Sequence, residues 1–148
     1  MAFEFPLEAI LRLRRGLERM ERLKLEGIAS EQARAKRELE TITEQFYESR
    51  RRFQECILQE TYNSEFQFED LRAQRVLATQ RRLNARIAEL EQLRLLQIVV
   101  FTKARQHREV LENLRDRKFA SYKQEILRRE QQGLDDLFVM RQNLLRKE

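Results

Sequence analysis

Side chains able to do chemistry are few in this sequence, and their spacing does not bring them together. His107 is the single histidine, so neither a Ser–His–acid triad nor a two-histidine metal site can be assembled. Cys56 is the single cysteine. It rules out a disulfide within the chain, fits a reducing compartment, and sits where the hydrophobic pattern calls for a small core residue. Asp135 and Asp136 are neighbours, but adjacent helical residues diverge by about 100° and cannot converge on one substrate. Phosphate-cradling loops and nucleophile turns need glycines at set positions. Here there is no glycine between Gly27 and Gly133, and no proline after Pro6. Enzyme chemistry is therefore disfavoured, no cofactor is expected, and function falls to the surfaces of helices. On such surfaces Tyr47 and Tyr62 stand out, since exposed aromatics anchor protein partners; covering the edge of a helix interface is their alternative role.

The elements that would position these residues follow from composition. Charged residues make up 37% of the 148 and apolar ones 41%, the balance of long helices with a narrow apolar seam rather than of a compact globule. The net charge of +5 comes from 30 basic and 25 acidic residues that are interspersed. Nucleic-acid binders cluster their cations with aromatics or a reading motif, so a nucleic-acid partner is not expected. The opening Met1 to Arg15 lacks a charged region ahead of its apolar stretch, so it does not read as a signal peptide. The run Ile98-Val99-Val100-Phe101 is too short to span a bilayer. A cytoplasmic protein without membrane insertion is expected.

From Leu25 the seam steps by three and four through Ile28, Gln32, Ala35, Leu39, Ile42, Phe46, Ser49, Phe53 and Cys56. Upstream, Ile10, Leu13, Leu17 and Met20 follow the same rule, and joining the runs takes one extra residue that locally unwinds the supercoil. Helix one spans about 6–60, with Pro6 in its first turn. The turn covers about 61–67, where Asn63 or Ser64 can cap the next helix. Helix two spans about 68–146, with seam residues Leu83, Ile87, Leu90, Leu93, Val100, Ala104, Leu111, Leu114, Phe119, Tyr122 and Ile126. The fold class is all-α: a long antiparallel two-helix coiled-coil hairpin, a single domain.

A turn centred near residue 64 pairs residues whose numbers sum to about 128. Ile28 then lies near Val100 and Leu39 near Leu90. The bulky run Leu93, Leu95, Leu96, Ile98, Val99, Val100 and Phe101 falls opposite Gly27, Ala29, Ser30, Ala33 and Ala35, large against small. In the same register Ile42, Phe46, Tyr47 and Phe53 face Arg86, Arg82, Arg81 and Arg75, which leaves aromatic surface for a partner. Beyond about residue 122 helix two overhangs. Its tail Leu134, Leu137, Phe138, Arg141, Leu144 and Leu145 is amphipathic, either a binding stripe or a surface that folds back or dimerises.

Three stretches resemble the flagellar export protein FliJ family, the coiled-coil component of the flagellar type III secretion apparatus. They are Phe5-Pro6-Leu7-Glu8-Ala9-Ile10-Leu11-Arg12-Leu13-Arg14, then Leu111-Glu112-Asn113-Leu114-Arg115-Asp116-Arg117-Lys118, and Arg128-Arg129-Glu130-Gln131-Gln132-Gly133-Leu134-Asp135-Asp136-Leu137 with Tyr122 before it. The resemblance implies a stalk similar to the central subunit of rotary F-type ATPases. It would lie at the cytoplasmic face of the inner membrane at the flagellar base, and serve flagellum biogenesis and motility. The partners it implies are the hexameric flagellar export ATPase, the cytoplasmic domain of the export gate, and export chaperones. It places a gate-binding surface at Glu38, Ile42, Gln45 and Ser49 with Phe46 and Tyr47 beside them, and assigns Leu77 and Leu83 to its second half. An antiparallel hairpin would also gather Arg12, Arg15 and Arg19 with Arg129 and Arg141 at one end, a basic collar suited to acidic loops of the ATPase ring. The alternatives are a generic antiparallel coiled-coil scaffold or a virulence-type secretion stalk protein; a basic helical rod for nucleic acid or anionic membrane fits less well, because the charges are mixed in sign.

Overall fold

A computed structural model of the chain describes residues 2–58 and 64–146, with the backbone alone for Cys56, Ser64, Glu65 and Phe66. Two helices, α1 (Glu8–Ile57) and α2 (Ser64–Leu145), pack against each other as an all-α hairpin, with no strand among the described residues. α1 opens on a Pro6–Leu7 turn in which the Glu8 amide donates to the Phe5 carbonyl at 3.0 Å. Glu8 adds negative charge to that first turn, where the helix dipole favours it. α2 starts at Ser64, so the stretch from Ser64 to Gln67, expected in the turn, is helical. The capping role of Asn63, the Ser64 side chain, Tyr62 at the tip and the seam role of Cys56 lie outside the described residues.

The chain divides into two compact units, Arg19–Thr102 and a terminal unit that joins Met1–Glu18 to Lys103–Glu148. In the 19–102 unit the α1 seam is as expected: every residue from Leu25 to Phe53 in that series is buried or half-buried. The α2 side is more regular than its composition suggests. Ala73, Val76, Gln80, Leu83, Ile87, Leu90, Arg94, Gln97 and Phe101 alternate steps of three and four, and none is exposed. Leu83 and Leu90 are the most deeply buried of them.

The register differs from the expected one. Gln32 Nε2 donates to Glu91 at 2.9 Å and Gln80 Nε2 to the Thr43 hydroxyl at 3.1 Å, pairs whose numbers sum to 123. Leu39 therefore stands opposite Leu83 rather than Leu90, and Ile28 opposite Arg94 rather than Val100. The helices end at Ile57 and begin again at Ser64, so the reversal is centred about three residues earlier than expected, which doubles to about six in the sum. The large-against-small packing fails with it. Leu93, Leu95, Leu96, Val99 and Val100 are exposed, while Ile98 and Phe101 are half-buried. Arg94 and Gln97 hold the seam positions there, Gln97 donating to the Glu21 backbone carbonyl at 3.1 Å.

In the terminal unit the expected α1 seam is turned outward. Leu11 is 0% exposed, whereas Leu13 is 61% exposed, and Ile10, Leu17 and (in the other unit) Met20 are exposed too. The residues that face α2 are Leu7, Leu11, Arg14 and Glu18, stepping four, three, four with no extra residue. The cause is the continuity of α1: an unbroken helix carries the phase of its long apolar run upstream, and a skip would need a local unwinding that is absent. On α2 the facing residues are Ala104, Arg108, Leu111 and Arg115; Phe119, expected in the seam, is exposed.

Candidate protein-binding surfaces

The terminal unit buries charge beside its apolar residues Phe5 and Leu11. Glu18, only 5% exposed, accepts from the Arg108 guanidinium, which also reaches Glu112. Arg15 Nε donates to the same Glu112 at 3.0 Å, and Arg115 lies 3.3 Å from Glu8. Among the described residues no buried side-chain nitrogen or oxygen lacks a partner, which is what makes a charged seam tolerable. Burial pushes the Glu112 carboxyl up, but the Arg15 hydrogen bond and the Arg108 and Arg15 charges outweigh it and hold the carboxyl below its ordinary range. Near the start of α1 the seam is closed by rings, with Phe3 5.1 Å from Phe119 and 5.5 Å from Tyr122 between centroids.

Past Ile126 every described residue of α2 is exposed. Leu127, Leu134, Leu137, Phe138, Leu144 and Leu145 all face solvent on this lone helical arm. A helix with no tertiary contact is marginal in water, and an apolar stripe along one marks a contact surface.

The expected basic collar does not gather. Arg12 stands near the level of Val110 on α2, and Arg129 and Arg141 follow roughly 28 and 46 Å further along at 1.5 Å per residue. Arg12, Arg15, Arg129 and Arg141 are exposed cations of the terminal unit, whereas Arg19 belongs to the 19–102 unit. Two of them are engaged, Arg15 with Glu112 and Arg129 with Glu125 at 3.0 Å. An antiparallel hairpin brings the two sets into one unit, but unequal helix lengths spread them along it.

The expected gate surface lies in the 19–102 unit and separates into two kinds of residue. Ile42, Phe46, Ser49 and Leu83 are seam residues, Leu83 buried and the others half-buried. Glu38, Gln45, Tyr47 and Leu77 face outward, and Tyr47 is 64% exposed with its ring 5.9 Å from that of Phe46. In the observed register Phe46 shares a groove with Ala73 and Arg72 of α2 rather than facing Arg82. Where small Ala73 fails to fill the space between Phe46 and Phe53, a groove of about 270 Å³ opens. Its polar rim is already satisfied, with the Ser49 hydroxyl donating to Glu69 at 2.8 Å and receiving Arg72 at 3.2 Å.

His107 is exposed and its Nδ1 lies 3.3 Å from Arg14 Nη1. Asp135 and Asp136 are both exposed on the arm. Among the described residues no cluster of three metal-ligating side chains occurs, and no helix is long and apolar enough to cross a membrane.

Sequence reasoning missed one surface. In an antiparallel pair like flanks lie side by side, and Arg15–Glu112 marks one flank of the terminal unit. The opposite flank carries Ile10, Leu13 and Leu17 from α1 with Val110 and half-buried Leu114 from α2. The signal was present as a three-and-four stripe, but it was read as the seam because seams and exposed stripes share that spacing.

No family model, no curated protein and no solved structure matches this chain.

Proposed function

We propose that this chain is a non-enzymatic stalk and adaptor of a flagellar type III protein export apparatus. In this reading it binds the hexameric export ATPase and promotes ring assembly, links the ring to the cytoplasmic domain of the export gate, and receives export chaperones. The resemblance of its opening and closing stretches supports the reading, and one structural observation carries it. α2 outruns α1 and leaves residues 127–146 as a lone helix with Leu134, Leu137, Phe138 and Leu145 in water. Such an arm is suited to entering another protein, and Arg129 and Arg141 on it can meet acidic loops at a rim. For the gate, the outward residues Glu38, Gln45, Tyr47 and Leu77 are the contacts left once seam residues are set aside.

Co-sedimentation of the full-length chain with the cognate export ATPase tests the proposal. The chain is expected to pellet with the ring and raise its ATPase activity, and Phe138→Glu with Leu145→Glu should abolish both while helicity holds. Tyr47→Ala with Leu77→Ala should weaken gate binding and leave ATPase stimulation intact. No co-sedimentation with the ATPase would sink the reading and leave a generic coiled-coil scaffold.

A further inference from the structure

The terminal unit sorts its charges as well as its apolar residues. On the flank marked by Arg15–Glu112, cations and carboxylates alternate and pair: Arg105 with Glu109 at 2.8 Å, Arg115 with Glu8, Arg15 with Glu112. The other flank has no carboxylate. Along α2 its positions are Lys103, His107, Val110, Leu114 and Arg117, and along α1 Ile10, Leu13 and Leu17. Leu13 and Val110, at 61% and 66% exposure, are as open as residues of the lone arm. Lys103 and Arg117 are exposed, and neither forms an ion pair among the described residues.

From this arrangement we infer that the Ile10–Leu13–Leu17–Val110 flank is a docking surface for an acidic amphipathic helix. The occupant's apolar stripe lies along these exposed aliphatic residues, and carboxylates on its edge meet Lys103 and Arg117. A helix is the fitting shape, because the aliphatic positions of α1 repeat at three and four over two turns, the spacing an amphipathic helix presents in return. An acidic rim is the fitting charge: the flank offers unpaired cations only, and an occupant with basic edges would be repelled. Pairing of this flank with its own copy in a second chain fits poorly, since both are equally cationic. The inference is independent of the export reading and concerns a different surface from the arm.

The test uses the full-length chain and two synthetic amphipathic helices with the same leucine stripe, one edged with glutamate and its twin edged with lysine. Fluorescence anisotropy at low salt is expected to show the glutamate peptide binding at least about tenfold more tightly. Leu13→Gln should weaken that binding by about tenfold, and Lys103→Glu with Arg117→Glu should reverse the preference toward the lysine peptide. All the substituted residues are exposed, and matched helicity by circular dichroism establishes that each variant is folded. Equal binding of the two peptides, or binding untouched by Leu13→Gln, would overturn the inference. So would sedimentation showing a dimer of the free chain that Leu13→Gln dissolves, because the occupant would then be a second copy.

Discussion

The 19–102 unit and the terminal unit use the same three-and-four spacing to opposite ends. In the first, the stripe that meets the partner helix is mostly apolar: Leu25, Ile28, Ala35, Leu39 and Ile42 against Val76, Leu83, Ile87 and Leu90. In the second, Leu7 and Leu11 share the stripe with Arg14 and Glu18, Arg108 on α2 pairs with Glu18, and a second aliphatic stripe is left in water. Burying leucine holds helices together through the removal of apolar surface from water. A desolvated ion pair contributes little net energy, and its strength is direction: it is satisfied in one register only. The 19–102 unit therefore relies mainly on apolar burial, whereas the terminal unit combines a smaller apolar core at Phe5 and Leu11 with ion pairs and leaves a further apolar stripe exposed.

Leu90→Ala should show the largest effect, since Leu90 is 2% exposed and large-to-small changes at such sites cost about 2–5 kcal/mol. Thermal unfolding followed by circular dichroism checks it, and a loss below 1 kcal/mol would deny this seam its cohesive role.

Arg108→Ala comes next. It removes the charge-assisted bonds that Arg108 makes to Glu18 and Glu112, worth about 1.5–3 kcal/mol. The comparison sharpens when both partners are replaced. Glu18→Leu with Arg108→Leu should be neutral or stabilising by about 1–4 kcal/mol, because an apolar seam replaces a desolvated pair. A double variant less stable than Arg108→Ala would show that the charged seam is cohesive after all.

Acid should act on Glu112 and Glu21. Glu112 is held below its ordinary range although burial works against it, and Glu21 is lowered by the Gln97 and Lys24 hydrogen bonds. A depressed folded value lends stability that is complete above the unfolded value of about 4.3 and is lost as pH falls through the folded one. Melting temperature should therefore hold from neutral pH to about pH 5 and decline below it. Arg15→Gln should shallow that decline, and an unchanged slope would dissociate Glu112 from it.

The smallest effect belongs to Leu13→Glu. As an exposed flank residue it should change stability by no more than about 0.5 kcal/mol. A loss of several kcal/mol would return Leu13 to the seam and undo the contrast between the units.

The sequence by itself determined that this chain is helical, that it reverses once, and where the α1 seam runs from Leu25 to Phe53. The absence of glycine between Gly27 and Gly133 and of proline after Pro6 removes the alternatives, and ten seam positions in a row leave little choice of phase. What the sequence could not determine was which of two stripes upstream of Leu25 faces α2. Ile10, Leu13, Leu17 and Met20 are the more hydrophobic set, and local hydrophobicity selects them. The tertiary structure selects Leu7, Leu11, Arg14 and Glu18, because phase in a continuous helix is settled by its longest packed segment. The register was decided in the same way: cross-helix partners such as Gln32 with Glu91 and Thr43 with Gln80 must meet atom to atom, whereas an apolar seam slid by a heptad still buries its leucines.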